Sequence, residues 1–277
     1  MASRFSGMTV LITGASSGIG AELAREFAGE GANVSLLARR RDRLLQVQQD
    51  IAHKGGTALA LECDVTDRAS IDAAVAQTVE AFGGIDVAVA NAGFGVSGDF
   101  SKLSTDDFRR QFDTNFFGLL DTVFSVLPHL EKSRGRLALV SSIMGRVGMP
   151  ASTAYGSSKF AVSGLAECLY FDLADRGISV TCIEPGLVES NIRKTDNRGV
   201  VKESRKDPAP AFLIMPTRKA ARAILNAIHR RKFQAVITSH GKIIVFLARH
   251  FPRTVRFAMR AATRGRMAQI ESAKRAE

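Results

Sequence analysis

The sequence predicts an α/β protein with one doubly wound sheet of seven parallel strands and a helical extension at its C-terminal end. Short apolar runs rich in β-branched residues alternate with longer segments of helical period, a pattern typical of βαβ units. Segments such as Gly20–Glu30 and Thr105–Lys132 are long enough to cross over the sheet in the usual right-handed sense. The predicted strands are Met8–Thr13, Asn33–Ala38, Thr57–Glu62, Ile85–Ala90, Arg136–Ser141, Ile178–Ile183 and Gln234–Thr238.

Length and composition favour one large domain. The chain has 277 residues, of which 45% are apolar, and this is enough for a single well-buried core. We expect that domain to occupy residues 1–240, followed by a basic amphipathic helical extension at residues 241–277.

The cysteines and histidines predict neither disulfides nor a metal site. Cys63, Cys168 and Cys182 lie far apart, and the five histidines show no H-E-x-x-H spacing or cluster. The first strand begins too early for a signal peptide to precede it, and no apolar stretch reaches the roughly 18 residues of a membrane span. These features predict a cytoplasmic protein without a metal.

The net charge of +11 is concentrated in the C-terminal third of the chain. Residues 1–185 hold 17 Lys and Arg against 21 Asp and Glu, whereas residues 186–277 hold 21 against 6. This asymmetry points to an acidic partner or surface. The basic segment contains no recognisable nucleic-acid module, so we expect no nucleic-acid partner.

A glycine-rich turn between the first strand and the first helix has the composition of a dinucleotide-binding loop. It reads Thr-Gly-Ala-Ser-Ser-Gly-Ile-Gly over 13–20. Glycines permit a tight turn and close approach of the backbone to a pyrophosphate, and the helix N-terminus offers free N–H groups to the phosphates. The predicted contacts in this loop are Gly14, Ser16, Ser17, Gly18, Ile19 and Gly20.

The residues after the second strand favour NADP(H), although NAD(H) stays open. Ala38 occupies the position where an NAD-binding protein of this class carries an acid for the ribose 2′-hydroxyl. Arg39, Arg40 and Arg41 follow, and a guanidinium group can bind a 2′-phosphate in forked geometry. We therefore predict that Arg39 contacts the 2′-phosphate. The alternative is a solvated arginine loop in which Asp42 caps the next helix.

Tyr155 and Lys159 form a candidate acid/base pair. They lie four residues apart at the start of a predicted helix and so share one helical face. A phenol has a pKa of about 10, and a neighbouring ammonium and an oxidised nicotinamide both favour the phenolate and lower that pKa. A tyrosine tuned in this way can act as a general acid/base. The spacing alone is weak, because such pairs occur by chance in many helical proteins.

Together with further motifs over about residues 8–240, the chain resembles the short-chain dehydrogenase/reductases, and a Rossmann-type fold is the expectation. The motifs are the Thr13–Gly20 loop, Asp64 after the third strand, Asn91, Ala92 and Gly93 after the fourth, Asn115, Ser142, Tyr155, Lys159, Pro185 and Gly186.

The resemblance implies a catalytic set of four residues. Ser142 would hydrogen-bond the substrate oxygen, Tyr155 would exchange its proton, and Lys159 would bind the ribose and lower the tyrosine pKa. Asn115 would complete a water-linked proton relay. The family's usual spacing from serine to tyrosine selects Ser142 over Ser141, which leaves Ser141 a structural role. Without the resemblance, Asn115 would be interpreted as a polar helical residue with a local hydrogen bond.

The resemblance also implies cofactor contacts outside the loop. Asp64 would bind the adenine edge, Asn91 and Gly93 would pack behind the cofactor, and Val188 and Ser190 would meet the carboxamide. Val65, Ala92, Pro185 and Gly186 complete this expected set. From the residues alone, Asp64 could cap the helix after Thr66, and Asn91 could be a turn residue.

An apolar, lipid-like substrate is the expectation for the pocket, with ordinary core or lid packing as the alternative. The connection from Asn191 to Pro216 would form the lid in the family that the chain resembles. The apolar residues near the motifs and in this connection are Phe94, Val96, Ile143, Met144, Met149, Leu187 and Phe212–Met215.

The extension is amphipathic and cationic. Its apolar run Ile243–Ala248 is too short to span a bilayer, and Pro252 should begin a second helix. Such a helix either lies on an anionic membrane surface or docks on the protein core with its charges solvated. Its predicted charged face is Arg253, Arg256, Arg260 and Arg264, opposite Val255, Ala258, Met259 and Ala262.

The sequence therefore predicts an NADP(H)-dependent oxidoreductase that interconverts a carbonyl and an alcohol. We expect a homodimer or homotetramer that is cytoplasmic or peripherally attached to a membrane. Two alternatives stay open: a non-catalytic cofactor-binding scaffold or regulatory protein with a membrane-associating tail, and an NAD-linked alcohol oxidase of the same fold. The complete catalytic set weighs against the scaffold.

Overall fold

The computed structural model describes residues 3–198, 200, 207 and 209–261, and its centre is a sheet of seven parallel strands. The strand order is β3-β2-β1-β4-β5-β6-β7, which confirms the predicted doubly wound α/β fold. The observed strand ends differ from the predicted ones by no more than two residues. The strands are β1 (Thr9–Thr13), β2 (Asn33–Ala38), β3 (Thr57–Glu62), β4 (Val87–Ala90), β5 (Arg136–Val140), β6 (Ser179–Glu184) and β7 (Gln234–Val236).

The helices cross over the sheet between the strands. One predicted helix, Thr105–Lys132, is interrupted by a π-helical turn at Asp113–Phe117. The helices are α1 (Gly18–Gly29), α2 (Arg41–Ala52), α3 (Arg68–Phe82), α4 (Thr105–Phe112), α5 (Gly118–Ser133), α6 (Thr153–Asp172), α7 (Thr217–His229), α8 (Ser239–His250) and α9 (252–261).

Two apolar cores cover the two faces of the sheet. Successive side chains of a strand point to opposite faces, so Val10 and Ile12 of β1 pack on one side and Leu11 on the other. The first core is completed by α1 and α7, through residues such as Phe27 and Ile224. The second core is completed by α3, α5 and α6. Both faces of the sheet are covered, as a parallel sheet requires.

The last two helices lie on the outside of this core. Gly241 is the only buried residue of α8, and its N–H donates to the Thr238 hydroxyl at 3.2 Å. Pro252 is the first helical residue of α9, as the sequence predicts. Residues 262–277, including Ala262 and Arg264 of the predicted amphipathic face, lie outside the described residues. None of the helices in the described ranges has the length and apolarity needed to cross a membrane.

The strand order reverses beside β1, and this opens a crevice at the carboxyl ends of β1 and β4. The side-chain hydroxyl of Thr13, the last residue of β1, connects these two strand ends by hydrogen bonds. The Thr13 Oγ1 atom accepts hydrogen bonds from the N–H groups of Asn91 and Ala92, each at 3.0 Å. The Asn91 Nδ2 atom donates back to the Thr13 carbonyl at 2.9 Å. These bonds fix the width of the crevice.

We predict that replacing Thr13 with Val destabilises the protein by about 1–3 kcal/mol, because the part-buried N–H groups of Asn91 and Ala92 lose their acceptor. Thr13→Ser keeps the hydroxyl and should lose only about 1 kcal/mol for the missing methyl group. Urea unfolding of both variants measures the difference. Equal free energies of unfolding for the two variants would contradict this role of the hydroxyl.

Candidate active site

The turn after β1 is shaped to receive a phosphate group. Gly14 and Gly18 have φ angles of +69° and +55°, which favour glycine. A Cβ atom on Gly14 would lie 2.8 Å from the Ala92 Cα atom, and one on Gly20 would lie 2.5 Å from the Gly14 carbonyl oxygen. Helix α1 begins at Gly18, and neither a side-chain cap nor an acidic residue occupies its first turn. Its free N–H groups and positive dipole end therefore fit a pyrophosphate.

Two arginines border the same turn. The Arg40 Nη2 atom donates to the hydroxyls of Ser16 and Ser17 at 3.1 and 2.9 Å. Arg39, whose side chain is largely exposed, forms an ion pair with Asp64 at 3.8 Å. Asp42 lies in the first turn of α2 but makes no capping hydrogen bond, so the proposed capping role of Asp42 is wrong.

The residues that follow β3 and β4 form the base of the crevice. The Asp64 Oδ1 atom accepts from the N–H and the hydroxyl of Thr66, at 3.0 and 2.9 Å. Asp67, not Asp64, caps α3. A Cβ atom on Gly93 would approach the Asn115 Oδ1 atom to 3.0 Å, so Gly93 permits close packing there. Asn91 is more than a turn residue, because it bonds back to β1.

Ser142 follows β5 and faces Tyr155. The Ser142 hydroxyl accepts from the Met144 N–H at 3.1 Å, which fixes the turn at Ile143–Gly145. Burial raises the pKa of the Tyr155 phenol, while a hydrogen bond with Ser142 and the positive charge of Arg193 oppose that rise. In this structure the net direction is upward, whereas the sequence predicts a lowered pKa.

Lys159 lies one helical turn after Tyr155 and is buried. Only 4% of Lys159 is exposed, and its Nζ atom donates to the Val140 carbonyl at 2.8 Å. No carboxylate in the described part of the chain forms an ion pair with it, and burial lowers its pKa to about 8. The Nζ atom is 5.8 Å from the centre of the Tyr155 ring, within the range of a cation–π contact.

Ser141 has the structural role that the sequence predicts. Its hydroxyl bonds to the Lys159 carbonyl at 2.9 Å and to the Ser163 hydroxyl at 2.8 Å. It therefore ties the end of β5 to α6 and keeps Lys159 in place.

Asn115 lies at the centre of the π-helical turn and is completely buried. Its Nδ2 atom donates to the Phe94 carbonyl at 3.1 Å and to the Ser158 hydroxyl at 3.3 Å, and its Oδ1 atom accepts from the Phe94 N–H at 3.0 Å. Isolated π-helical turns are frequent at functional sites. Here the turn holds the Asn115 amide against two backbone groups beside the site.

The segment after β6 is held from both sides. The Pro185 carbonyl accepts from the Ile143 N–H at 3.0 Å, and the Leu187 N–H donates to the His240 Nε2 atom at 3.0 Å. A Cβ atom on Gly186 would lie 2.2 Å from the Thr238 hydroxyl oxygen. The sequence did not identify His240 as a site residue, because the contact depends on where α8 begins.

All but two of the predicted site residues line one cleft of about 460 Å³, a size within the usual range for ligand sites. The exceptions are Gly20 and Asn115, which lie behind its wall. The predicted residues on the cleft are Gly14, Ser16, Ser17, Gly18, Ile19, Arg39, Asp64, Val65, Asn91, Ala92, Gly93, Ser142, Tyr155, Lys159, Pro185, Gly186, Val188 and Ser190.

The cleft also includes residues that were not among the predicted contacts. Arg40 is one, and Ile192, Arg193, Thr195 and Val200 come from the long connection after β6. Arg193 forms an ion pair with Asp207 at 2.6 Å and bonds the Val188 carbonyl at 3.0 Å. An isolated β-bridge between Val188 and Met215 joins the beginning of this connection to its end.

The predicted apolar residues divide between cleft, core and surface. Phe94 lines the cleft, Val96 and Ile143 are buried, and Phe212 is 86% exposed. Within the described ranges, no group of His, Cys, Asp or Glu side chains is arranged to hold a metal ion.

The buried ammonium predicts a pH dependence of stability. In nucleotide-free protein the folded pKa of Lys159 is about 8 and its ordinary value is 10.5, so the unfolded chain binds more protons between these values. Wild-type protein should therefore gain on the order of 3 kcal/mol relative to Lys159→Met as the pH rises from 8 to 10.5. Urea unfolding of both proteins across this range measures it. A constant difference would contradict the lowered pKa.

Comparisons with known proteins identify the family to which the chain belongs. The family model of short chain dehydrogenases matches residues 8–200. Oxidoreductase UcpA of Salmonella typhimurium is 37% identical over 212 residues, covering 76% of this chain and 79% of the relative. The 3-ketodihydrosphingosine reductase of Mus musculus is 32% identical over 250 residues, covering 86% of this chain and 73% of the relative.

A solved structure has the same fold. The crystal structure of a short chain dehydrogenase/reductase from Burkholderia phymatum, in complex with NAD, covers 91% of this chain and 96% of its own. Its TM-score is 0.80 at 23% sequence identity, which establishes likeness of fold. From the family match and the curated relatives, this chain belongs to the short-chain dehydrogenase/reductase family of oxidoreductases.

Proposed function

We propose that this protein is an NADP(H)-dependent oxidoreductase that interconverts a carbonyl and an alcohol, with Tyr155 as the acid/base. The observation that carries the proposal is the convergence of Ser142, Tyr155 and Lys159 on one wall of the cleft whose other end is the phosphate-shaped turn. A non-catalytic scaffold would have no need for this set.

The residues of the cleft fit a nicotinamide dinucleotide. The free N–H groups of α1 would hold the pyrophosphate, Asp64 the adenine edge, and the Pro185–Ser190 segment the nicotinamide end. A bound nicotinamide supplies the hydride chemistry that the side chains of the cleft cannot provide. The remaining task of the protein is to position the substrate oxygen and move one proton.

Tyr155 is the group placed to move that proton. During reduction its phenol would donate a proton to the substrate oxygen, and during oxidation it would accept one. Ser142, which lines the cleft beside Tyr155, would donate a second hydrogen bond to the same oxygen. Lys159 would stabilise the phenolate by its charge, and Asn115 would order the path by which a proton returns from solvent.

The NADP(H) preference rests on Arg39 and Arg40. Both line the cleft directly after Ala38, which occupies the position where an acid would otherwise bind a ribose 2′-hydroxyl. Arg40 already spans the hydroxyls of Ser16 and Ser17, and the ion pair with Asp64 keeps Arg39 at the adenine side. Two guanidinium groups at this point suit a 2′-phosphate.

An apolar carbonyl compound is the proposed substrate class. Phe94, Ile192 and Val200 line the cleft, and they offer apolar walls to a substrate. The mouse relative is named as a reductase of 3-ketodihydrosphingosine, a keto lipid, which supports this choice.

We also propose a homodimer or homotetramer in the reducing cytoplasm. Phe117, the last residue of the π-helical turn, and Phe124 of α5 lie on one face of the continuous helical segment, and Phe160 and Phe171 share a face of α6; all four are exposed. Large exposed apolar side chains of this kind often mark contacts between subunits. Among the described residues all three cysteines are free, which suits a reducing compartment.

The cofactor proposal predicts tighter binding of NADPH than of NADH. Arg39→Ala and Arg40→Ala should each weaken NADPH binding roughly 10- to 100-fold, because each removes a charged hydrogen bond, and should leave NADH binding nearly unchanged. Arg41→Ala, inside α2, is the matched control. Fluorescence titration measures the affinities, and equal or tighter binding of NADH by the wild type would overturn the assignment.

The acid/base proposal predicts that Tyr155→Phe lowers turnover roughly 10²–10⁴-fold, because the ring stays and the transferable proton is lost. NADPH binding should persist. The other tyrosine in the chain, Tyr170, provides the control Tyr170→Phe, which should be fully active. The assay follows NADPH oxidation with an apolar ketone or aldehyde selected on the wild type. Wild-type turnover by Tyr155→Phe would exclude Tyr155 as the proton donor.

A further inference from the structure

We propose that the outer surface of α8 and α9 docks on a membrane containing anionic lipid. This inference concerns a surface outside the catalytic cleft and does not depend on the chemistry proposed for it. We call it the basic apolar surface, and its residues are Lys242, Ile243, Phe246, Leu247, Arg249, Phe251, Arg253, Arg256, Phe257 and Arg260.

Helix α8 presents apolar side chains to solvent as well as to the protein. Its inner side consists of Gly241, Ile244, Val245 and Ala248, which are buried or half-buried. On its outer side, Ile243 is 61% exposed and Phe246 57% exposed, with Leu247 beside them. A surface helix of a globular protein usually carries polar residues on that side. The outer stripe of α8 therefore needs a partner other than water.

Cations flank that stripe and continue along α9. Lys242 and Arg249 lie along one edge of the α8 stripe at helical spacing, as expected for an interfacial helix. In α9, Arg253, Arg256 and Arg260 share one exposed face, and Phe257, 77% exposed, lies beside them. Apolar side chains among arginines suit the boundary between lipid headgroups and acyl chains.

Docking on the chain's own core, the alternative from the sequence, covers only one side of α8 and α9 and leaves their large apolar residues exposed. Val255 and Met259 of α9 are half-buried, but the large residues Phe246, Phe251 and Phe257 all face outward.

The charge of this surface argues against a second copy of the chain as its partner. Residues 239–261 contain five Lys and Arg and no acid. No carboxylate in the described ranges forms an ion pair with any of the five cations. A two-fold contact pairs each patch with an identical patch, so it would bring two sets of like charges together. An anionic lipid surface neutralises the same charges while it accepts the apolar side chains.

The first turn of α8 fixes this surface beside the candidate active site. A Cβ atom on Gly241 would lie 3.0 Å from the Ile143 Cγ2 atom, next to Ser142. His240 accepts the hydrogen bond from Leu187, in the segment that would hold the nicotinamide end. A membrane bound by α8 would thus lie close to the cleft, where an apolar substrate could pass from lipid to protein.

Vesicle co-sedimentation of the full chain tests the proposal. We expect binding to phosphatidylcholine vesicles that contain phosphatidylserine, at low salt, and weaker binding as salt screens the charges. The triple variant Arg253→Gln/Arg256→Gln/Arg260→Gln should lose about a hundredfold in affinity, from about fivefold for each cation near the lipid. Ile243→Gln/Phe246→Gln/Phe257→Gln should not sediment even at low salt.

Control variants distinguish binding by this surface from nonspecific adsorption of the protein to vesicles. Phe100→Gln removes a similarly exposed phenylalanine from the 3₁₀ turn before α4, and Arg109→Gln removes an exposed arginine from α4; both should bind vesicles like the wild type. Sedimentation velocity without lipid should give all variants the same mass. Failure of the wild type to bind at low salt would overturn the proposal. So would a loss of oligomer in the Ile243/Phe246/Phe257 variant, which would assign the surface to a second copy.

Discussion

A buried ammonium group is the constraint around which the candidate active site is organised. Lys159 is held between the end of β5 and the body of α6, where its Nζ atom donates to the Val140 carbonyl but has no carboxylate partner among the described residues. A cation in such a place is unstable without a partner, which is why its pKa falls to about 8. The neighbouring backbone is packed tightly around it. A Cβ atom on Gly145 would come within 2.6 Å of the Lys159 carbonyl oxygen.

Because burial disfavours the charge of Lys159, we expect a bound ligand to change the protonation of this side chain. Hydroxyl groups of a bound ribose would offer the Lys159 Nζ atom acceptors, and the phosphates nearby would favour its charged form. A fully charged Lys159 would in turn favour the phenolate of Tyr155, whose pKa is raised by burial in this structure. Burial thus lowers the pKa of Lys159 and raises the pKa of Tyr155. We infer that ligand binding, in addition to the fold, is needed to lower the Tyr155 pKa for proton exchange.

Much of this arrangement could be predicted from the sequence, because it depends on local patterns. Strand ends were predicted within two residues from apolar runs, and the glycine turn and the Ser142, Tyr155 and Lys159 motif were each placed on the correct element. The π-helical turn around Asn115 was not predicted, because helix continues on both sides of it and 105–132 was interpreted as one uninterrupted helix.

Contacts between distant segments were also missed. Arg40 bonds back to Ser16 and Ser17, and His240 reaches Leu187 only because α8 begins beside that segment. The position of Arg193 near Tyr155 depends on how the connection after β6 folds back. No periodicity or spacing in the sequence encodes these distances. They follow from tertiary packing, which the sequence reveals only through the fold as a whole.

If Lys159 and a bound oxidised cofactor together lower the pKa of the Tyr155 phenol, the ionisation of that phenol can be measured directly in this chain. It has two tyrosines and no tryptophan, so in Tyr170→Phe protein an ultraviolet titration reports Tyr155 alone. We expect NADP⁺ to lower the pH at which this phenol ionises, and Lys159→Met to reduce the shift. A Tyr155 titration that NADP⁺ leaves unchanged would contradict this expectation.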